Sequence, residues 1–122
     1  MQTSHIRTPL PGPNAQALIA RDALVTSPSY PRDYGFAMSH GRGCEVWDVD
    51  GNRFLDFAAG IAVCSTGHCH PEVVAAIGRA AEKFLHISSD FWHEGQTRLA
   101  ERVSALAPMR ERAMCFFGQS GT

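Results

Sequence analysis

The sequence predicts an α/β fold seen from its beginning: a β-hairpin, two amphipathic helices, and one apolar strand running into a glycine-bearing loop. Three observations carry that prediction. β-prone runs at residues 44–49 and 53–57 flank Asp50-Gly51. Between Pro71 and Pro108, apolar residues recur at steps of three and four. The last apolar run, 113–117, leads into Gly118-Gln119-Ser120-Gly121-Thr122. A strand entering a glycine loop opens a βα unit, and a parallel sheet needs several such units to cover its faces. The chain therefore reads as the start of a larger α/β protein.

Each element has a local reason. Residues 1–13 hold three prolines and a glycine and read as an arm. Asn14 is the expected cap of a short helix over 15–24, its side chain accepting from a free first-turn amide. "TSPSYPRDYG" interrupts regular structure, because Pro28 and Pro31 remove donors and bias the residues before them away from helix. In "CEVWDVDGNRFLDF", Asp50-Gly51 suits the positive φ angles of a tight hairpin turn. "AAGIAVCSTGHCHP" is rich in small residues and has no helical stripe. Pro71 suits a first helical position, where its missing N–H costs nothing. Val74, Ile77, Ala81 and Phe84 then share one face, with Arg79, Glu82, Lys83 and His86 opposite. A second helix is expected over 92–106, with Trp92, Gln96, Leu99, Val103 and Leu106 inward and Pro108 as its stop. Residues 113–117 are expected to form a buried strand.

The totals exclude several function classes. The chain has 122 residues, 44% of them hydrophobic, which is one ordinary domain's worth with enough apolar content for a core. Formal net charge is -1 with the signs interspersed, so no basic stripe offers itself to nucleic acid. No apolar stretch reaches membrane-spanning length, and the N-terminus lacks a secretory pattern. Cys44, Cys64, Cys69 and Cys115 are scattered, with no CxxC pairing. That usage fits a reducing compartment, and a cytoplasmic protein is expected.

Five features bear on chemistry. The terminal loop offers close backbone approach at its glycines, helix-start amides, and the hydroxyls of Ser120 and Thr122, all suited to an anion. It matches neither the Walker pattern nor GxGxxG. Alone, the signal is weak, because Ser-Gly-Thr is common in ordinary strand-to-helix turns. "CSTGHCH" puts Cys64, His68, Cys69 and His70 within seven residues, each a zinc-ligand type. Adjacent side chains of an extended segment diverge, however, and no second ligand pair follows, so a turn at Gly67 leading to Pro71 is the simpler reading. Asp48, Asp50 and Asp56 lie in or beside the hairpin, Asp50 as a turn residue and the others solvated or bonded to backbone. Cys115 reads as a small apolar filler. Lys83 is the sole lysine, on the polar face of a helix, so this chain offers no buried Schiff-base lysine.

Taken in series, the motifs resemble a known family. "GCEVWDVDGNRFLDFAAGIAVCSTGHCHPEVVAAI" is similar to the N-terminal region of class III aminotransferases, which are pyridoxal-5'-phosphate (PLP) enzymes of fold type I. The W-D-x-D-G-N-x-F-L-D-F hairpin, A-G-I-A-V, G-H-x-H-P and F-F-x-x-S-G-T stand in the family's order, over roughly residues 33–122. Within the family, "DFAAGIAVCSTGHCHPEVV" and "HISSDFWHE" look most like the 4-aminobutyrate type, with ornithine enzymes close by.

The resemblance implies the N-terminal part of a fold-type I PLP-dependent transferase. It implies an arm with a short helix at 1–32, an active-site and dimer-interface segment at 33–70, and the start of the cofactor domain at 71–122. Ser120, Gly121 and Thr122 match the loop that binds the cofactor phosphate. Ile61 matches a residue lining the substrate pocket, with Val63 beside it. The implied reaction moves an amino group from an ω-amino acid to a 2-oxo acid such as 2-oxoglutarate, in a homodimer or larger homo-oligomer. An amino-acid racemase of the same fold and a non-catalytic dimerisation module are the alternatives. In the family, the Schiff-base lysine, the aspartate on the pyridine nitrogen and the substrate arginine lie downstream of the phosphate loop. No catalytic residue is therefore expected among these 122, the chain alone is expected to be inactive, and its ending reads as a cut.

Overall fold

The computed structural model describes residues 4–30, 32–111 and 113–118. The chain divides into two units, Met1–Ala80 and Ala81–Thr122.

The first unit opens with α1 (Pro13–Asp22), two residues earlier than expected. Gly12 is its N-cap and Pro13 its first residue, so Asn14 does not cap it. The cap comes from far along the chain. Asp50 Oδ1 accepts from the Asn14 amide at 2.9 Å, and Asp50 Oδ2 from the Ala15 amide at 2.9 Å. A carboxylate against the positive end of a helix satisfies two free donors and complements the dipole. Gly12 makes the approach possible, since a Cβ there would lie 2.4 Å from Asp50 Cγ.

Three antiparallel strands follow: β1 (Met38–Arg42), β2 (Glu45–Asp48) and β3 (Arg53–Leu55), in that order. The expected β2–β3 hairpin is present, with Val46 opposite Phe54 and Trp47 opposite Arg53. Its turn differs from the two-residue form. Asp48 N donates to Asn52 O at 3.0 Å and Gly51 N to Asp48 O at 3.1 Å, leaving a three-residue loop in which Gly51 takes φ 79°. Glycine tolerates that left-handed position without a Cβ clash.

Strand β1, polar and glycine-bearing, has no strand pattern of its own. It is held by pairing with β2, with a bulge between Met38 and His40, and by His40 stacking on Trp47 at 4.6 Å. His5 extends the other edge through paired 2.8 Å bonds with Arg53.

The buried residues sit around this hairpin. Ala15, Ala37 and Val46 are apolar, while Asp48 and Asn52 are polar and 4% and 0% exposed. Such burial requires full satisfaction. Asn52 Oδ1 accepts from the amides of Arg7 (2.6 Å) and Thr8 (3.0 Å). Its Nδ2 donates to Thr8 Oγ1 (2.9 Å) and Asp48 Oδ2 (2.7 Å). Asp48 Oδ1 accepts from the amides of Asp50 (3.0 Å) and Asn52 (2.8 Å). The D-x-D-G-N acids are thus committed to structure: Asp48 to the turn, Asp50 to α1.

After β3 comes α2 (Ala59–Ala62), a single turn, and then α3 (Pro71–Ala81) with Pro71 first as expected. Phe84 and Lys83 lie beyond the end of α3, so neither is on the helix that the periodicity suggests. Val74 and Ile77 on its apolar face are exposed.

The second unit holds α4 (Glu94–Leu106). It starts two residues later than the apolar pattern suggests, because extended His93 caps it, Nδ1 accepting from the Gln96 amide at 3.2 Å. Trp92 falls outside the helix and is 98% exposed. Ala107, before Pro108, has left the helical region at ψ 129°, as a residue preceding proline does. Residues 113–118 carry no regular secondary structure, so the expected strand at 113–117 is not formed among the described residues. A strand exists only through a neighbour's backbone, and none of the described strands pairs with this segment. Cys115 instead donates to Ala100 O at 3.5 Å, against α4.

Candidate functional site

The segment from β3 to α3 carries the sequence-predicted site residues that lie among the described ones. Ala59, Gly60, Ile61 and Ala62 all have positive φ, at 47°, 62°, 61° and 62°. The turn is therefore left-handed. It is closed by bonds from Ala62 N to Ala58 O (2.9 Å) and from Val63 N and Cys64 N to Ala59 O (2.8 Å each). An L-residue in this region costs roughly 1–2 kcal/mol, so Ala59, Ile61 and Ala62 together store several kcal/mol. Isoleucine is the worst suited, since branching at Cβ crowds the following carbonyl.

Surrounding structure must impose such a turn, and one carboxylate joins its two ends. Asp56 Oδ1 accepts from the amides of Ala58 (2.8 Å) and Ala59 (3.0 Å) at the entry. Asp56 Oδ2 lies 2.6 Å from His68 Nε2 beyond the exit, both side chains largely shielded. With Asp56 ionised, Nε2 carries the proton and donates. The bond from His68 holds the Asp56 carboxyl below its ordinary value of 3.8, helped by the amides of Ala59 and Ala58, while burial opposes them.

Both partners are anchored to the sheet. Asp56 N donates to Cys44 O at 2.8 Å. Gly43 and His68 exchange two backbone bonds, 2.9 and 2.8 Å. Two glycines make room: a Cβ on Gly41 would lie 2.7 Å from the His68 ring, and one on Gly67 would lie 3.0 Å from Gly43 Cα.

Ile61 projects outward, 93% exposed, with Phe57 at 92% and Val63 also exposed. The expected pair Ile61 and Val63 are thus both exposed among the described residues. Ser120, Gly121 and Thr122 lie outside the described residues. Sequence reasoning did not find the left-handed turn or the Asp56–His68 pair. The available signal was an aspartate two residues before a run of small residues, which suits a carboxylate bonding nearby amides.

The cysteine–histidine cluster does not converge. Cys69 is exposed at φ 51°, and His68 is engaged by Asp56. Among the described residues no group of three His, Cys, Asp or Glu side chains is placed to hold a metal ion. No helix among them is long and apolar enough to cross a membrane. Two hollows, about 420 Å³ beside α1 and about 460 Å³ beside α4, contain none of the sequence-predicted site residues.

The fold is similar to that of solved aminotransferase structures. The N-acetylornithine aminotransferase structure from Stenotrophomonas maltophilia superposes with a TM-score of 0.65 at 37% identity, covering 77% of this chain and 24% of that one. The ornithine aminotransferase from Toxoplasma gondii, crystallised with partial occupancy of PLP at its active site, gives 0.69 at 30% identity over 75% of this chain and 21% of its own. The overall architecture is thus the N-terminal part of an α/β, fold-type I aminotransferase. The family model for class-III aminotransferases matches residues 28–122, and the chain belongs to that family. In sequence it is 49% identical over 84 residues to the acetylornithine aminotransferase of Bifidobacterium longum, which is 69% of this chain and 20% of that enzyme. The chain spans about a fifth of the length of the curated relatives it matches. These relatives are acetylornithine and ornithine enzymes, whereas "HISSDFWHE" and its neighbours suggest the 4-aminobutyrate type from sequence.

Proposed function

We propose that this chain supplies the N-terminal part of a PLP-dependent aminotransferase that moves an amino group from an ornithine-like or N-acetylornithine-like ω-amino acid to a 2-oxo acid such as 2-oxoglutarate. The observation that carries the reading is the family match across residues 28–122, with the motif series ending in Ser120-Gly121-Thr122. The similarity to acetylornithine and ornithine enzymes favours that donor class over 4-aminobutyrate.

In this reading Ser120, Gly121 and Thr122 hold the cofactor phosphate with backbone amides and hydroxyls. PLP, when bound, supplies the electron sink that the polypeptide lacks. Ile61 and Val63 offer an apolar wall to the substrate's carbon chain. Residues 1–32 serve as an arm, 33–70 as the active-site and dimer segment, and 71–122 as the start of the cofactor domain. The working form is a cytoplasmic homodimer or larger homo-oligomer. The 122 residues alone are inactive in this reading, because Lys83, their single lysine, lies exposed in a turn after α3.

The test uses the polypeptide encoded by the complete reading frame. Borohydride reduction in the presence of PLP should fix cofactor on one lysine other than Lys83, detected by peptide mass. Turnover with 2-oxoglutarate should be faster for ornithine or N-acetylornithine than for 4-aminobutyrate. Absence of both fixed cofactor and turnover overturns the proposal.

A further inference from the structure

Ile61 is badly placed for the stability of its own chain. It is almost fully exposed, so its side chain gains nothing from burial here. It also occupies a left-handed backbone position, where a β-branched residue is disfavoured. A residue unfavourable on both counts, kept in place by dedicated contacts, points to a use other than packing among the described residues.

The contacts that keep it there converge on two residues. The local preference of Ala58-Ala59-Gly60-Ile61-Ala62 is a right-handed turn, since only Gly60 is neutral to hand. The opposite hand is enforced where the loop leaves and rejoins the sheet. Asp56 is tied to Cys44 and His68 to Gly43, and the two side chains meet at 2.6 Å. The same Asp56 carboxylate that receives His68 also orients the first amides of the turn. A single bridging group therefore fixes entry and exit together.

We propose that Asp56 and His68 are positioning residues for substrate specificity, a clamp that holds the Ala59–Ala62 turn left-handed and so presents the Ile61 side chain to the aliphatic chain of the amino donor. This rests on the proposed place of Ile61 in the substrate pocket. Neither Asp56 nor His68 touches substrate in this scheme; they act through Ile61. The ligand chemistry it implies is a methylene chain between the reacting amine and a distal polar group, because an exposed branched aliphatic side chain recognises hydrocarbon and rejects charge.

The experiment is a double-mutant cycle in the cofactor-loaded full-length enzyme, with steady-state kinetics for the amino donor. Ile61→Ala should raise KM about tenfold with kcat little changed, the behaviour of lost apolar contact. His68→Ala should do the same, and His68→Gln, which keeps an N–H for Asp56, should return KM toward that of the unsubstituted enzyme. Because the clamp acts through Ile61, the double variant should be no worse than the more affected single variant. If His68→Ala gives no soluble enzyme, His68→Leu fills the space without a donor and takes its place in the cycle. An Ile61→Ala enzyme with unchanged KM removes the pocket assignment itself, and the clamp's role in specificity goes with it. That includes the case where the variant alters only subunit association. An Ile61→Ala effect with no His68→Ala effect, with effects that multiply, or without recovery in His68→Gln overturns the clamp while leaving the pocket assignment standing.

Discussion

Replacing Ala62 by glycine should stabilise the protein, against the usual sign of that substitution. In a right-handed helix interior, alanine to glycine costs about 1 kcal/mol. Ala62 instead has φ 62°, where an L-residue is disfavoured by roughly 1–2 kcal/mol and glycine is not. Against this gain stands the extra freedom that glycine gives the unfolded chain, about 0.5–1 kcal/mol. The methyl group is exposed, so its removal leaves no cavity. The balance is a net stabilisation of about 0–1.5 kcal/mol, centred on about 0.7. Ala76→Gly, within right-handed α3 and also exposed, is the matched control and should destabilise by about 1 kcal/mol. Urea titration of the full-length protein, read by fluorescence and circular dichroism, should move the two midpoints in opposite directions. If Ala62→Gly lowers the midpoint as Ala76→Gly does, the turn is not left-handed in solution and the reasoning fails.

Other perturbations address the hairpin and the clamp. Asn52→Ala strands the amides of Arg7 and Thr8 and one oxygen of buried Asp48. At roughly 1–3 kcal/mol per unsatisfied group it should cost about 3 kcal/mol or more, seen as a lower urea midpoint and faster proteolysis of the N-terminal arm. Gly12→Ala drives a Cβ into the Asp50 carboxylate and breaks the cap of α1, costing about 1–2 kcal/mol in the same titration. Hydrogen exchange at Asn14 and Ala15 should rise with it. Asp56 has a folded pKa below 3.8, so between that lowered value and 3.8 the unfolded chain binds more protons than the folded one. Its contribution is complete above about pH 5 and is lost as pH falls through the folded value. Asp56→Asn should therefore flatten the acid limb of a stability–pH curve; an unchanged limb would show that the carboxylate is not held by His68.

The correspondence between sequence and structure follows the range of the forces involved. The β2–β3 hairpin, the start of α3 at Pro71 and the end of α4 before Pro108 were all legible, because each depends on φ preferences and missing donors within a few residues. Ile61 and Val63 are proposed as a site only through the ordered motifs of a family, since no local preference singles them out. Strand β1 was not legible, since its polar residues become a strand through the backbone groups of β2. Nor was the strand expected at 113–117 formed, an apolar run being no substitute for a pairing partner.

Sequence by itself determined the family, the hairpin, the start of α3 at Pro71 and the end of α4 before Pro108. Tertiary structure decided what the acids do. Asp50 caps a helix 35 residues away, Asp48 and Asn52 seal the turn against the arm, and Asp56 meets His68 across a loop. The physical reason is the reach of a carboxylate. It bonds whatever donor the folded chain brings within about 3 Å, and that distance is set by the closing of the sheet and not by neighbours in sequence. The left-handed turn belongs to the same class, for local preference opposes it and only the closed loop holds it.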